Sequence, residues 1–106
     1  MKIGIIVNTN EPETVWNAFR FGVTSLKAGH AVRMFLYGKG VESEGIKSEF
    51  KIREQISLFC YNGGKILACE SCLKMRQNTG SKVCVVGHQK DLLEIVEESD
   101  KILTFG

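Results

Sequence analysis

The 106-residue chain has little proline, histidine or tryptophan: one, two and one residue respectively. Its first apolar run, IGIIV, spans five residues. That is too short for the core of an export signal and far too short to cross a bilayer. No membrane partner is expected, and the expected location is the cytoplasm. Excess charge is also small, at +2, and no Lys/Arg cluster with interleaved aromatics appears. Nucleic acid is therefore not expected as a partner. Reducing conditions inside a cell argue against structural disulfides. The four cysteines are then buried thiols, metal ligands or reactive thiols. The only proline, Pro12, precedes all of them, so no cis-proline follows the cysteines as in a thioredoxin-type site. There is no internal repeat, linker or low-complexity stretch.

Hydrophobic residues make up 43% and charged residues 25% of the chain, the mix of a globular protein. Residues 1–106 have the size of one domain, able to bury roughly two thirds of the surface of the unfolded chain. KIGIIVN reads as a strand buried on both faces. Asn10, with Glu13 three residues on, predicts a helix cap and capping box, and Pro12 fits the first turn. The helix is expected from about Glu11 to Ala28, burying Val15, Ala18, Phe19, Gly22, Val23 and Leu26 and stopping at Gly29.

AVRMFLY is the second predicted strand. GKGVESEGIKSE reads as a long mobile loop; it lacks the remaining residues of a dinucleotide fingerprint or a P-loop. Further helices are predicted at 50–61, within ESCLKMRQNTG, and within HQKDLLEIVEESD, the last burying Leu92, Leu93, Ile95 and Val96. KILAC, KVCVV and KILTF complete five strands. This alternation predicts a doubly wound α/β protein.

In such sheets ligands bind beyond the carboxyl ends of the strands. The predicted strands put Asn8–Glu13, Gly38–Glu49, Cys69–Cys72, Gly87–Lys90 and Gly106 on that edge. The Cys-x-x-Cys of LACESCLKMR lies there, with Cys69 at a strand–helix junction and Cys72 in the first helical turn. Unpaired N–H groups at a helix start favour thiolate, and such thiols have pKa values lowered to about 3.5–7.5. Lys74 and Arg76 add positive charge; Glu70 opposes it. Packing of two small apolar side chains, a redox couple and a sulfur carrier all remain open. A metal centre usually needs about four ligands, and only one short-spaced pair exists, so neither metal nor another cofactor is expected. His88, on the same edge, is a candidate proton donor or thiolate partner. Asn8, Asn10, Lys74 and Arg76 are candidate substrate-binding side chains. His30 falls at the opposite edge. Trp16, Phe19 and Phe21 cannot all face one sheet from one helix, so either part of that helix meets another subunit or a single aromatic stays exposed.

KIGIIVNTNEPETVWNAFRFGVTSLKAGHAVRMFLYGKGVE, then KILACESCLKMR, then ESDKILTFG, resembles the DsrE/DsrF-like family of small intracellular sulfur-relay proteins. The resemblance covers nearly the whole chain. It implies a three-layer α/β/α, flavodoxin-like fold with a five-stranded, mainly parallel sheet, and assembly into trimers, hexamers or mixed complexes. It also implies that Cys69, at the position of the family's cysteine, takes a persulfide sulfur from a donor protein and passes it to an acceptor. Cys72 is an addition found in some members, and would act as a resolving thiol.

Overall fold

The short apolar runs form the strands of a single sheet in the computed structural model, which describes all 106 residues. The strands are β1 (Lys2–Val7), β2 (Ala31–Leu36), β3 (Lys65–Cys69), β4 (Val85–Gly87) and β5 (Lys101–Phe105). The helices between them are α1 (Pro12–Lys27), α2 (Ile52–Tyr61), α3 (Glu70–Met75) and α4 (Gln89–Glu98). All pairings are parallel, in the order β4-β3-β2-β1-β5. The three-layer α/β architecture is as expected. Its strand order is a further finding: flavodoxin places β1 between β2 and β3, whereas here β1 lies between β2 and β5.

This order decides where the layers fall. Right-handed crossovers carry the chain one way from β1 to β4, which puts α1, α2 and α3 on one face. The long return from β4 to β5 puts α4 on the other. On the first face Phe59 of α2 meets Phe19 of α1 edge-on, with ring centroids 5.8 Å apart. On the second, Ile95 of α4 packs onto Gly4 of β1, where a Cβ would lie 2.8 Å from it.

Several local expectations need correction. The cap of α1 is Glu11, not Asn10: its carboxylate accepts from the Glu13 and Thr14 amides at 3.1 and 2.8 Å. The Thr9 hydroxyl in turn accepts from the Glu11 amide, so the polar turn runs one residue further. Residues 38–45 are a 3₁₀ helix, not a free loop. Gly40 packs so tightly onto the Val7 carbonyl that no Cβ fits, and Ser43 is fully buried, donating to the Gly40 carbonyl. In α4 only Ile95 is buried; Leu93 and Val96 are 57% and 43% exposed. A lone helix on its face of the sheet reaches the sheet with one stripe, and nothing in the chain covers its flank. No helix is long and apolar enough to cross a membrane.

Candidate functional site

The helices that follow β3 and β4 leave the sheet on opposite faces, although these strands are neighbours. Their carboxyl ends therefore form the topological switch point of the sheet. Cys69 pairs in register with Gly87 at that place. It is also the residue that caps α3.

Cys69 is 2% exposed and Cys72 half-buried; both are free thiols. Burial disfavours the Cys69 thiolate. Four groups oppose it: the Ser71 hydroxyl 3.3 Å from the sulfur, the Cys72 amide, the Cys72 thiol and the Ser71 amide. Together they outweigh burial and bring the Cys69 pKa below the ordinary thiol range. Cys72 moves the other way. Burial and its hydrogen bond to Cys69 raise it, against the Gly38 amide, which donates to its sulfur at 3.2 Å, and the Arg76 charge. The pair thus divides into a thiolate-favouring Cys69 and a neighbouring Cys72 that favours the thiol.

The other two cysteines are built differently. Cys84 is 4% exposed and its pKa is pushed up to about 12, first by burial and then by Glu44 and Cys60. Burial, then Glu44, also raises Cys60. Neither is prepared for nucleophilic chemistry. No cluster of three or more His, Cys, Asp or Glu side chains gathers to hold a metal ion.

The remaining candidates lie on the same edge but do different work. Asn8 sits over Gly38, where a Cβ would come within 2.5 Å of its side-chain oxygen. That glycine has φ +54, and its amide is the one that reaches Cys72. Asn10 donates to Glu42 at 3.2 Å, and Glu42 holds the Arg76 guanidinium at 2.6 Å. Arg76 also donates to the Cys72 carbonyl at 3.0 Å. Arg76 is thus committed to the framework rather than held free for a substrate. Lys74 is 3.6 Å from Glu70. His88 makes no hydrogen bond to either sulfur. Its Nε2 lies 3.1 Å from Glu70 and its Nδ1 3.5 Å from Asp91, so it ties the start of α4 to the start of α3. First the His88 hydrogen bond and then the Lys74 charge hold the Glu70 carboxyl below its usual range.

Sequence reasoning missed Glu42, Ser71 and Tyr37. Glu42 reaches partners 32 and 34 residues away, which no local pattern reveals. Ser71 was visible inside the Cys-x-x-Cys, since its hydroxyl follows Cys69 by two positions. Tyr37 exchanges hydrogen bonds with Gln89 at 2.8 and 3.2 Å, closing the same edge from β2.

A parallel α/β sheet carrying a thiolate-favouring cysteine at its switch point defines the class. Within it, the chain belongs to the DsrE/DsrF-like family, a group related in general to sulfur relay, whose model matches residues 1–105. The fold is also that of a conserved protein of unknown function from Bacteroides thetaiotaomicron. The two share 20% identity with a TM-score of 0.79, over 98% of this chain and 94% of that one. No curated protein matches.

Proposed function

We propose that the protein carries sulfane sulfur as a persulfide on Cys69, between a donor protein and an acceptor protein. The observation that carries this reading is the paired environment of the two thiols: hydrogen bonds favour negative charge on Cys69, and Cys72 is the neighbouring thiol. In loading, the Cys69 thiolate attacks the outer sulfur of a donor persulfide. The donor S–S bond breaks, the donor leaves as a thiolate, and Cys69 holds S–SH. An acceptor thiolate attacks that outer sulfur, takes it, and returns Cys69 as thiolate. Alternatively Cys72, once deprotonated, attacks the Cys69 sulfur, giving a Cys69–Cys72 disulfide and releasing sulfide; an external dithiol must then reduce the disulfide. The same disulfide is the product expected of a thiol–disulfide redox protein.

Because Cys69 is buried, loading requires the first turn of α3 to yield. That helix has only six residues, and short, lightly packed segments open at low free energy. Burial of Cys69 also supports a second reading, a non-catalytic assembly or regulatory subunit whose cysteines only pack. Intact mass spectrometry after exposure to a low-molecular-weight persulfide separates the two. The carrier gains the mass of one sulfur atom on the Cys69 peptide. A protein that never gains sulfur, at any donor excess, is the assembly subunit instead.

The surface of the chain supports assembly into a homo-oligomer. Of the α1 aromatics, Trp16 packs within the chain against Phe50 at 5.1 Å and under Arg20 at 4.2 Å, and Phe21 is 40% exposed. The larger apolar surplus is Leu93 and Val96 on α4, with Ile102 on the edge strand β5. Sedimentation at micromolar concentration is expected to give a homotrimer or homohexamer. A single species of one chain mass would remove this part of the proposal.

A further inference from the structure

The 3₁₀ helix touches the Cys-x-x-Cys segment twice. At its start the Gly38 amide donates to the Cys72 sulfur at 3.2 Å; four residues on, Glu42 holds Arg76 at 2.6 Å. Arg76 ends α3: its backbone N–H has turned back to Leu73, and its guanidinium takes the Cys72 carbonyl at 3.0 Å. We propose that Glu42 and Arg76 are a positioning pair for Cys72, the carboxylate holding the guanidinium on the Cys72 carbonyl and offsetting its charge at the sulfur. The inference deepens the carrier reading, because it names what keeps the resolving thiol in reserve.

The charges around Cys72 are few. Cys69 faces it from the end of β3, and Arg76 from its own helix. Glu42 and, beyond it, Lys39 come from the 3₁₀ helix. Glu70, on the first turn of α3, is occupied by His88 and Lys74. Arg76 is the cation that favours a Cys72 thiolate, and Glu42 is its carboxylate partner. With Glu42 in place, its carboxylate offsets part of the Arg76 charge, and Cys72 stays a thiol beside Cys69. Withdrawal of the Glu42 carboxylate from Arg76 leaves the guanidinium unopposed. Cys72 then becomes the better nucleophile and drives sulfide release from a Cys69 persulfide. Both side chains line a cleft of about 610 Å³ that also receives Asn10 and Arg53, so the pair is within reach of whatever enters there.

Opposite responses of two neutralising variants test this. In a Cys69→Ser background, alkylation of Cys72 by the uncharged reagent iodoacetamide is followed against pH by peptide mass spectrometry. Glu42→Gln keeps the shape and an acceptor oxygen but removes the charge. Its alkylation midpoint should move to lower pH, with reaction near neutral pH faster by about two- to fivefold. Arg76→Gln should move the midpoint the other way by a similar factor, and the double variant should return near the parent. A merely structural brace predicts the same direction for both single variants, and that result, or no shift in either, overturns the proposal. Should Arg76→Gln fold poorly, Arg76→Lys keeps the charge. Glu42→Gln must still lower the midpoint in that background, and failure there overturns the proposal equally. Alkylation needs no sulfur donor, so this pair and the carrier reading fail separately.

Discussion

Phe59→Ala is expected to lower the free energy of unfolding by about 3–5 kcal/mol. The side chain is fully buried. Its ring meets Phe19 at an interplanar angle of 84°, an edge-to-face contact that adds about 0.5–1.5 kcal/mol beyond area. Two glycines frame it, Gly22 in α1 and Gly64 before β3, and a Cβ at either would collide with the ring. At these two places the wall of the pocket is helix and turn backbone, which cannot collapse inward when the ring is removed. That places the loss in the upper part of the range for large-to-small changes. Domains of this size are stable by only about 5–15 kcal/mol, so the variant should approach its melting range at physiological temperature. Urea unfolding should show a lower midpoint with an unchanged slope. A loss below about 1.5 kcal/mol would mean that the site repacks and that the two glycines are not shaped around the ring.

The alternation of strands and helices was legible because the core strands are mostly apolar runs, broken in β2 only by Arg33. KILAC and KILTF end where expected, and KIGIIVN ends one residue early, at Val7. The fourth strand was not so clear. KVCVV suggested residues 82–86, yet pairing covers only Val85–Gly87. The Ser81 hydroxyl accepts from the Val83 and Cys84 amides, and the Ser81 amide donates to the Cys84 carbonyl. A local side-chain turn has won part of an apolar run from the sheet. The third helix stops at Met75 because Gln77 takes a left-handed φ of 54, short of the glycine at 80. Burial in the 3₁₀ helix was invisible: GKGVESEG is polar and glycine-rich, and only the close approach of Gly40 to β1 explains why Ser43 is buried.

The site was legible to the same depth. Backbone periodicity placed Cys69, Cys72 and His88 on one edge, and the structure keeps them there. What Arg76 and His88 do depends on partners far along the chain, whereas Lys74 meets its neighbour on the same helix. Lys74 and Arg76 were expected to offer positive charge to a substrate, but each meets a carboxylate, Glu70 or Glu42. His88 was expected near sulfur and instead joins two helix starts. Charge counted along a sequence gives the local sum; only the fold shows how much of it is already neutralised.

Cys72→Ser is expected to lengthen the lifetime of a Cys69 persulfide by about tenfold or more, since it removes an attacker held within the same turn. Loading should survive the change. The serine hydroxyl still donates towards Cys69, and the Ser71 hydroxyl and both α3 amides are untouched. Loading should also persist somewhat below the ordinary thiol range near about pH 8.5, because Cys69 is the thiol whose pKa is lowered. Cys69→Ser should abolish loading altogether. Cys72 is more exposed, but burial and its bond to Cys69 raise its pKa, so less of it is thiolate at neutral pH. Removing Cys69 relieves only part of that. Time-resolved intact mass spectrometry after donor removal reads both quantities, the fraction loaded and its decay. Decay in the wild type should leave a disulfide, two hydrogens lighter than the starting dithiol, whereas Cys72→Ser should return to its unmodified mass only when a low-molecular-weight thiol is added, which attacks the outer sulfur and leaves with it as its own persulfide. Sulfur found on Cys72 in Cys69→Ser, with none on Cys69 in Cys72→Ser, would reverse the two roles. In that case exposure rather than thiolate character selects the carrier, and Cys69 becomes the resolving thiol beneath it.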